Sequence, residues 1–310
     1  MIRAGERDAK AFWTLAGYVA GMEFSKTKGT HNVRVEVSYM RKTVGRTKEL
    51  LAEKHGLTQI RIRPVSDQSA RFSIPVVIDG VRHGKPVRLF AKIIGSSDHF
   101  TALISQFLKN MYLGMKGLPP IFGLADTALG MARYQYDRLL EMVQKEIPTS
   151  RPLGYHDLDG IRAMLVLEFI SGKPFSKVEV TPALAEAAFD VMRRMHEHGL
   201  YHGDIKLDNV VLGPEGQVYL MDTGSFREGT PEIERRAYDI ASMLCAFSER
   251  MPVDVLLQTG VLKYSSADQR AAVPYVELSR NRPDFFLPDE VIAPIIARLS
   301  ARSPVGGEAE

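Results

Sequence analysis

Two stretches of this chain place residue types in an order that could move a phosphoryl group. They are Tyr201-His202-Gly203-Asp204-Ile205-Lys206-Leu207-Asp208-Asn209 and Tyr219-Leu220-Met221-Asp222-Thr223-Gly224. An Asp, a Lys two residues on and an Asn three further, on a tight loop after a helix, present a base, a cation and an oxygen ligand together. A second Asp, thirteen residues past the Asn, reaches the same place from the end of a hairpin.

The elements that must position these groups are legible around them. Thr181 and Pro182 open a helix as N-cap and first helical residue, and it runs to His198-Gly199, where glycine stops it. His196 and His198 at its end are expected as C-terminal capping or surface residues. Arg235 to Ser248 is an apolar helix containing Asp239, and two further helical stretches follow. Upstream, Gln59–Pro64, Phe72–Ile78 and Pro86–Ile94 are expected strands, split by Ser66-Asp67-Gln68-Ser69 and by Asp79-Gly80. The run from Ala163 to Ile170 is a buried strand, ended by a turn at Ser171–Pro174. Asp98–Met115 and Ala125–Glu146 are expected helices, separated by Gly117-Leu118-Pro119-Pro120. Before residue 58, Glu6–Phe24 suggests a helix, the alternation of His31–Met40 a strand, and Thr47–His55 a second short helix closed by Gly56.

With 310 residues, 45% hydrophobic and 25% charged, the chain is long enough to bury a substantial core. Its net charge of +3 excludes a polycation, yet Lys26 to Arg63 holds ten Lys/Arg against three Glu. The single cysteine, Cys245, excludes an internal disulfide framework and suggests a reducing, cytoplasmic setting. No apolar run approaches the roughly 20 residues of a membrane span.

The ordered motifs resemble the protein-kinase-like superfamily over roughly Gln59 to Ser248: strand-borne Lys92, the strand ending near Ile170, the HGDIKLDN loop and the MDTG segment. The resemblance implies an α+β, bilobal kinase-like fold with a β-rich N-lobe and a helical C-lobe. It also implies ATP and Mg2+, or Mn2+ in its place, as cofactors. Lys92 would hold the α/β-phosphates, and Leu167, the carbonyl of Glu168 and the N–H of Ile170 would line the adenine slot. Asn209 and Asp222 would ligate metal, Asp204 would take or orient the acceptor's proton, and Lys206 would sit near the transferring phosphate. Asp239 resembles the buried aspartate that pins the catalytic loop, and His202 would orient that loop.

Departures narrow the branch. The phosphate turn Ser66–Ser69 has no glycine, so the Ser66 and Ser69 hydroxyls and backbone amides would cradle phosphate. Fourteen residues separate Gly224 from Asp239, too few for a long peptide-docking segment. With His-Gly-Asp and the link Ile147–Tyr155, the chain resembles RIO kinases, lipopolysaccharide-type kinases and aminoglycoside phosphotransferases. Gln135 falls where the family has the glutamate that pairs with the strand lysine, with Asp137 and Glu141 as nearby alternatives. About forty residues between Lys92 and Gln135 imply an inserted helix that covers the nucleotide cleft or binds a partner.

Leu15-Ala16-Gly17-Tyr18-Val19-Ala20-Gly21 resembles part of a LAGLIDADG half-repeat, with Met22 where a metal-binding acid would stand. That likeness implies phosphate contacts by Arg34, Arg41 and Lys42, and hence a nucleic-acid partner; the alternative reading is an ordinary helix packed on the N-lobe. The expected organisation is a basic α/β extension over 1–57, an N-lobe over 58–170 with the inserted helix near 98–115, a C-lobe over 171–302 and a disordered tail over 303–310. The expected function is phosphate transfer from ATP to a hydroxyl of a protein or small molecule. The alternatives are a RIO-like ATPase switch with a nucleic-acid or ribonucleoprotein partner and a nucleotide-binding pseudokinase.

Overall fold

A computed structural model describes residues 30–65, 73–123, 127–280 and 287–301. The expected helix over 6–24, the half-repeat at 15–21, Ser66, Ser69 and the tail from 303 lie outside the described residues. The class is α+β, with a sheet-rich unit and a mainly helical unit, as the kinase-like resemblance implies.

The first unit takes in the described residues up to Leu108, the segment ending at Leu140, and Ser150–Ile170. It opens with one long helix, α1 (Thr30–His55), where strand His31–Met40 was expected. Alternating valines gave that expectation, but strand preference spans only about 1 kcal/mol and yields to tertiary context. Buried Thr43, Thr47, Leu50 and Leu51 repeat at helical spacing, so a helix is what covers the sheet here. Gly56, at φ +64°, ends α1, with Leu57 N–H donating to Leu51 O at 3.3 Å.

The sheet is wholly antiparallel, in the order β1 (Thr58–Pro64), β2 (Ile74–Arg82), β3 (Lys85–Ile94), β5 (Ala163–Glu168), β4 (Pro152–Asp157). Leu50, Leu51 and Leu57 join Val76, Ile78, Leu89, Ala91, Met164 and Val166 in its core. The turn expected at Asp79-Gly80 is instead strand interior. Asp79 accepts from Arg88 Nε at 2.6 Å and from Arg63, a cross-strand use that keeps it in the ladder. The hairpin turns four residues later, at His83 (φ 52°) and Gly84 (φ 74°), whose paired positive φ values match the twist of the strands.

His55, closing α1, meets His156 of β4 with their Nε2 atoms 2.8 Å apart and their rings edge-on. One ring must donate and the other accept, so both protonated forms are excluded together. Burial, then His156 and Arg82, bring the His55 pKa down to about 4 from 6.5. Burial and then Lys54 lower that of His156, against Glu53. Because both folded values lie below the unfolded one, the unfolded chain takes up protons that the folded chain refuses. Stability in urea is therefore expected to be full above pH 6.5 and to fall toward pH 4. His55→Gln should flatten that slope, and an unchanged slope would contradict the assignment.

The second unit holds Lys109–Gly123, Glu141–Thr149 and the described residues from Ser171 on. Helices α2 (Ser96–Met115) and α3 (Ala128–Gln144) each begin in the first unit and end in the second. A small sheet of β6 (Lys173–Pro174), β7 (Val210–Leu212) and β8 (Val218–Leu220) lies among α4 (Pro182–Glu197), α5 (Glu232–Ser248), α6 (Val253–Thr259), α7 (Ser266–Arg280) and α8 (Asp289–Ser300). Among the described residues this is one more helix after α5 than expected. From Ala237 to Phe247 every residue of α5 is buried, so α5 is the axis of this unit.

Candidate active site

The candidate loop starts at the end of α4. Thr181 caps that helix by accepting from Leu184 N–H at 3.3 Å, and Gly199 (φ +70°) closes it, with Leu200 N–H donating to Met195 O at 3.1 Å. The chain then passes through Tyr201 and His202 onto Asp239, at the heart of α5. Both Asp239 oxygens are used: Oδ2 accepts from His202 N–H at 2.7 Å and Oδ1 from Gly203 N–H at 2.8 Å. A buried carboxylate is costly unless its lone pairs are met, and here backbone donors meet them.

His196 also contacts Asp239 Oδ2, through Nε2 at 3.1 Å, while the Tyr264 hydroxyl lies 3.1 Å from its Nδ1. The ring stacks on Tyr201 with centroids 5.3 Å apart. This corrects the expected capping or surface place of His196, which is only 4% exposed. The signal was present: Ala185, Ala188, Phe189, Met192, Met195 and His196 share one helical face, so His196 belongs to the buried stripe. His198, the C-cap, is exposed as expected.

His202 is fully enclosed. Its pKa lies below the ordinary value because burial outweighs the carboxylates of Asp239, Asp204 and Asp222, each of which favours the charged form. The neutral ring donates from Nε2 to Met221 O at 2.8 Å and accepts Asp204 N–H at Nδ1, 3.3 Å away. One imidazole thus ties the loop to the segment leading into Asp222.

Asp204, Lys206, Asn209 and Asp222 come together here. Asn209 Nδ2 donates to Asp204 O at 2.8 Å, to Asp204 Oδ2 at 3.3 Å and to Asp222 O at 3.5 Å. Lys206 Nζ is 3.6 Å from Asp204 Oδ2, both side chains being partly exposed. Met221 N–H donates to Asn209 O at 2.8 Å, which continues the β7–β8 pairing and sets Asn209 beside Asp222. Asp222 adopts φ 63°, a left-handed conformation that a non-glycine residue holds only when its surroundings impose it. Gly224 needs to be glycine: a Cβ there would lie 2.6 Å from Gly203 O, and Gly224 N–H donates to His202 O at 2.7 Å.

In the first unit Lys92 is buried on β3, opposite Pro75 of β2 and Leu165 of β5. Leu167 pairs with Phe90. The Glu168 peptide is held on both sides, its N–H donating to Arg151 O at 2.8 Å and its carbonyl accepting Ser150 Oγ–H at 2.5 Å. A carbonyl has a second lone pair, so a further donor can still be met there. Ile170, two residues on, is half-buried. Gln135 lies on α3, half-buried, while Asp137 is exposed and 3.7 Å from Arg133.

The segment after α2 also has a defined place. Phe122, just past α2, forms an isolated antiparallel bridge with Phe226, and Gly123 N–H donates to Ser225 O at 2.9 Å. The segment after α2 therefore packs on the segment that follows Gly224.

No protein-family model matches the chain. It is similar to CBL-interacting protein kinase 3 of Oryza sativa subsp. japonica, at 25% identity over 171 residues, 50% of this chain and 33% of that protein. It is also similar to the human serine/threonine-protein kinase TAO3, at 35% over 79 residues, 22% of this chain and 9% of that one. A probable bifunctional tRNA threonylcarbamoyladenosine biosynthesis protein of Methanosarcina acetivorans matches at 38% over 60 residues, 19% of this chain and 11% of that one. The chain spans a third or less of the length of these curated relatives. Among solved structures, Rad53 1-466 in complex with AMP-PNP matches at 13% identity and a TM-score of 0.39, over 76% of this chain and 60% of that one.

Proposed function

We propose that this chain is an ATP- and magnesium-dependent phosphotransferase that moves the γ-phosphate to a hydroxyl of a protein or small molecule. The observation that carries it is the Asn209 amide bonding to both Asp204 and Asp222, with Lys206 beside Asp204. The local similarity to two protein kinases supports the same class.

The donor set fits magnesium. Asn209 directs its amide hydrogens at Asp204, so its carbonyl oxygen is left as a hard oxygen donor that would hold the ion together with the Asp222 carboxylate. Magnesium, or manganese in its place, supplies neutralisation of phosphate charge when bound. Asp204 accepts the proton of the attacking hydroxyl as its oxygen bonds to phosphorus and the bond to the β-phosphate oxygen breaks. The proton then passes to solvent. Lys206 compensates charge on the transferring group. His202 and Asp239 position the loop, and Lys92 with Leu167, Glu168 and Ile170 serves the nucleotide. Gln135 can accept a hydrogen bond but brings no charge to a lysine, which weakens that support relative to a glutamate.

Asp204→Ala is expected to cut phosphate transfer by about 10²- to 10⁴-fold, the range for a general base. Thermal stabilisation by ATP with magnesium should remain. Wild-type protein showing neither stabilisation nor transfer would sink the proposal.

An ATPase switch with a nucleic-acid partner is the second reading, favoured by the ten Lys/Arg between Lys26 and Arg63. The tRNA-related name of the Methanosarcina relative points the same way. ATP hydrolysis that rises with added RNA, without a phosphorylated acceptor, would select it.

A further inference from the structure

The geometry points to Asn110 as a positioning residue: the insert is a built-in clamp, and Asn110 holds the strand that fastens residues 225 to 227 against the catalytic loop. The residues concerned all belong to the second unit.

The stretch Ile121-Phe122-Gly123 has hydrogen-bonding partners on both edges. On one edge Gly123 N–H donates to Ser225 O at 2.9 Å and Arg227 N–H donates to Ile121 O at 2.8 Å, with Ser225 Oγ adding a bond to Gly123 O at 3.1 Å. On the other edge Phe122 would present an N–H and a carbonyl without a strand beside them. The Asn110 side chain supplies that partner: Oδ1 accepts Phe122 N–H at 3.0 Å and Nδ2 donates to Phe122 O at 2.9 Å. A primary amide has one acceptor and two donors in the plane needed to imitate a strand backbone.

The site of the chain's turn makes this possible. Gly117 (φ +72°) reverses the chain after α2, and Leu118 N–H donates to Leu113 O at 2.9 Å. Ile121 and Phe122 then bury fully, with Lys109 over the Phe122 ring at 4.9 Å and Tyr238 of α5 edge-on to it at 5.0 Å.

What the clamp holds lies next to the chemistry. Phe226 is edge-on to Tyr201 at 6.4 Å and to Tyr238 at 6.0 Å. Its ring lies 3.0 Å from where a Cβ on Gly203 would be. Two residues earlier, Gly224 bonds to His202. Motion of 225 to 227 therefore displaces the Phe226 ring that packs against Tyr201 and beside Gly203. A conventional kinase resemblance assigns no such duty to an insert, and here it makes order after Asp222 intrinsic to the chain.

The inference rests on the proposed transferase reading only for its kinetic arm. Asn110→Ala leaves both polar groups of Phe122 without their partner. Amide exchange at Gly123, Gly224 and Arg227 in the full chain should accelerate by about tenfold or more, the scale of a buried hydrogen bond left unmet. Phosphate transfer should lose kcat while KM for ATP stays within about twofold, since the Asn110 amide acts through Phe122 on residues 225 to 227. Asn110→Asp keeps the acceptor for Phe122 N–H and should fall between the two. Unchanged exchange at 224 to 227 overturns the clamp, and so does faster exchange with undiminished kcat. Faster exchange in a chain whose wild type transfers no phosphate supports the clamp and removes only the proposed reaction. If Asn110→Ala does not fold, Gly123→Ala tests the contact from the other edge, because its Cβ would lie 2.6 Å from Ser225 Oγ and 2.8 Å from Phe226 O. Wild-type exchange in that variant also overturns the clamp.

Discussion

Asp239→Ala is expected to destabilise the helical unit by about 3–5 kcal/mol, the range for breaking a buried charged network. The carboxylate is fully buried and is the acceptor for His202 N–H and Gly203 N–H, with His196 as third neighbour. Alanine leaves two backbone donors and an imidazole nitrogen without a partner, in a place water reaches poorly. Each such orphan costs about 1–3 kcal/mol. Asp239→Asn keeps the volume but turns an NH2 group toward one of the donors, so it should recover only part of the loss. Urea unfolding followed by far-UV circular dichroism measures both. A loss below about 1 kcal/mol for the alanine variant would mean that the loop is held by something other than Asp239.

Asp222→Gly is expected to separate folding from chemistry. At φ 63° the aspartate is strained by about 1–3 kcal/mol, and glycine adopts that region without penalty. The glycine chain should therefore unfold no more easily than wild type, apart from the small cost of a more flexible unfolded state. Its phosphate transfer should fall by about 10³-fold or more, on the scale of removing a preorganised electrostatic group. The shift in thermal midpoint with ATP and magnesium should vanish. Asp222→Asn keeps the strain and loses the charge, so it should match glycine in activity but not in stability. Transfer persisting in either variant would remove Asp222 from the proposed metal site.

The candidate loop was readable because its groups are close in the chain. Asp204, Lys206 and Asn209 span six residues, and a loop that short can bring them together whatever surrounds it. The strands around Lys92 were readable for a similar reason: the alternation of core and outward residues is a local pattern. Asp79-Gly80 misled because a turn composition and a cross-strand ion pair use the same residue, and only the presence of Arg63 and Arg88 on the neighbouring strands selects between them. The segment His31–Met40 misled because a weak local preference was opposed by a helix whose described buried residues include Thr43, Thr47, Leu50 and Leu51. His196 was placed at the surface although its spacing put it on the buried face of α4. Asn110 carried no signal, since its partner Phe122 follows a glycine and two prolines and gains meaning only from Phe226, far along the chain.

Sequence alone determined the order of the candidate site groups and most strands and helices, because these depend on residue type and on neighbours a few positions away, while the α+β class followed from the kinase-like resemblance. Tertiary structure decided the tautomer and neutrality of His202, the burial of His196, the left-handed backbone at Asp222 and the clamp at Asn110. Each of these depends on desolvation or on hydrogen bonds between segments that the chain keeps apart, and the free energy of such contacts exists only once packing has excluded water.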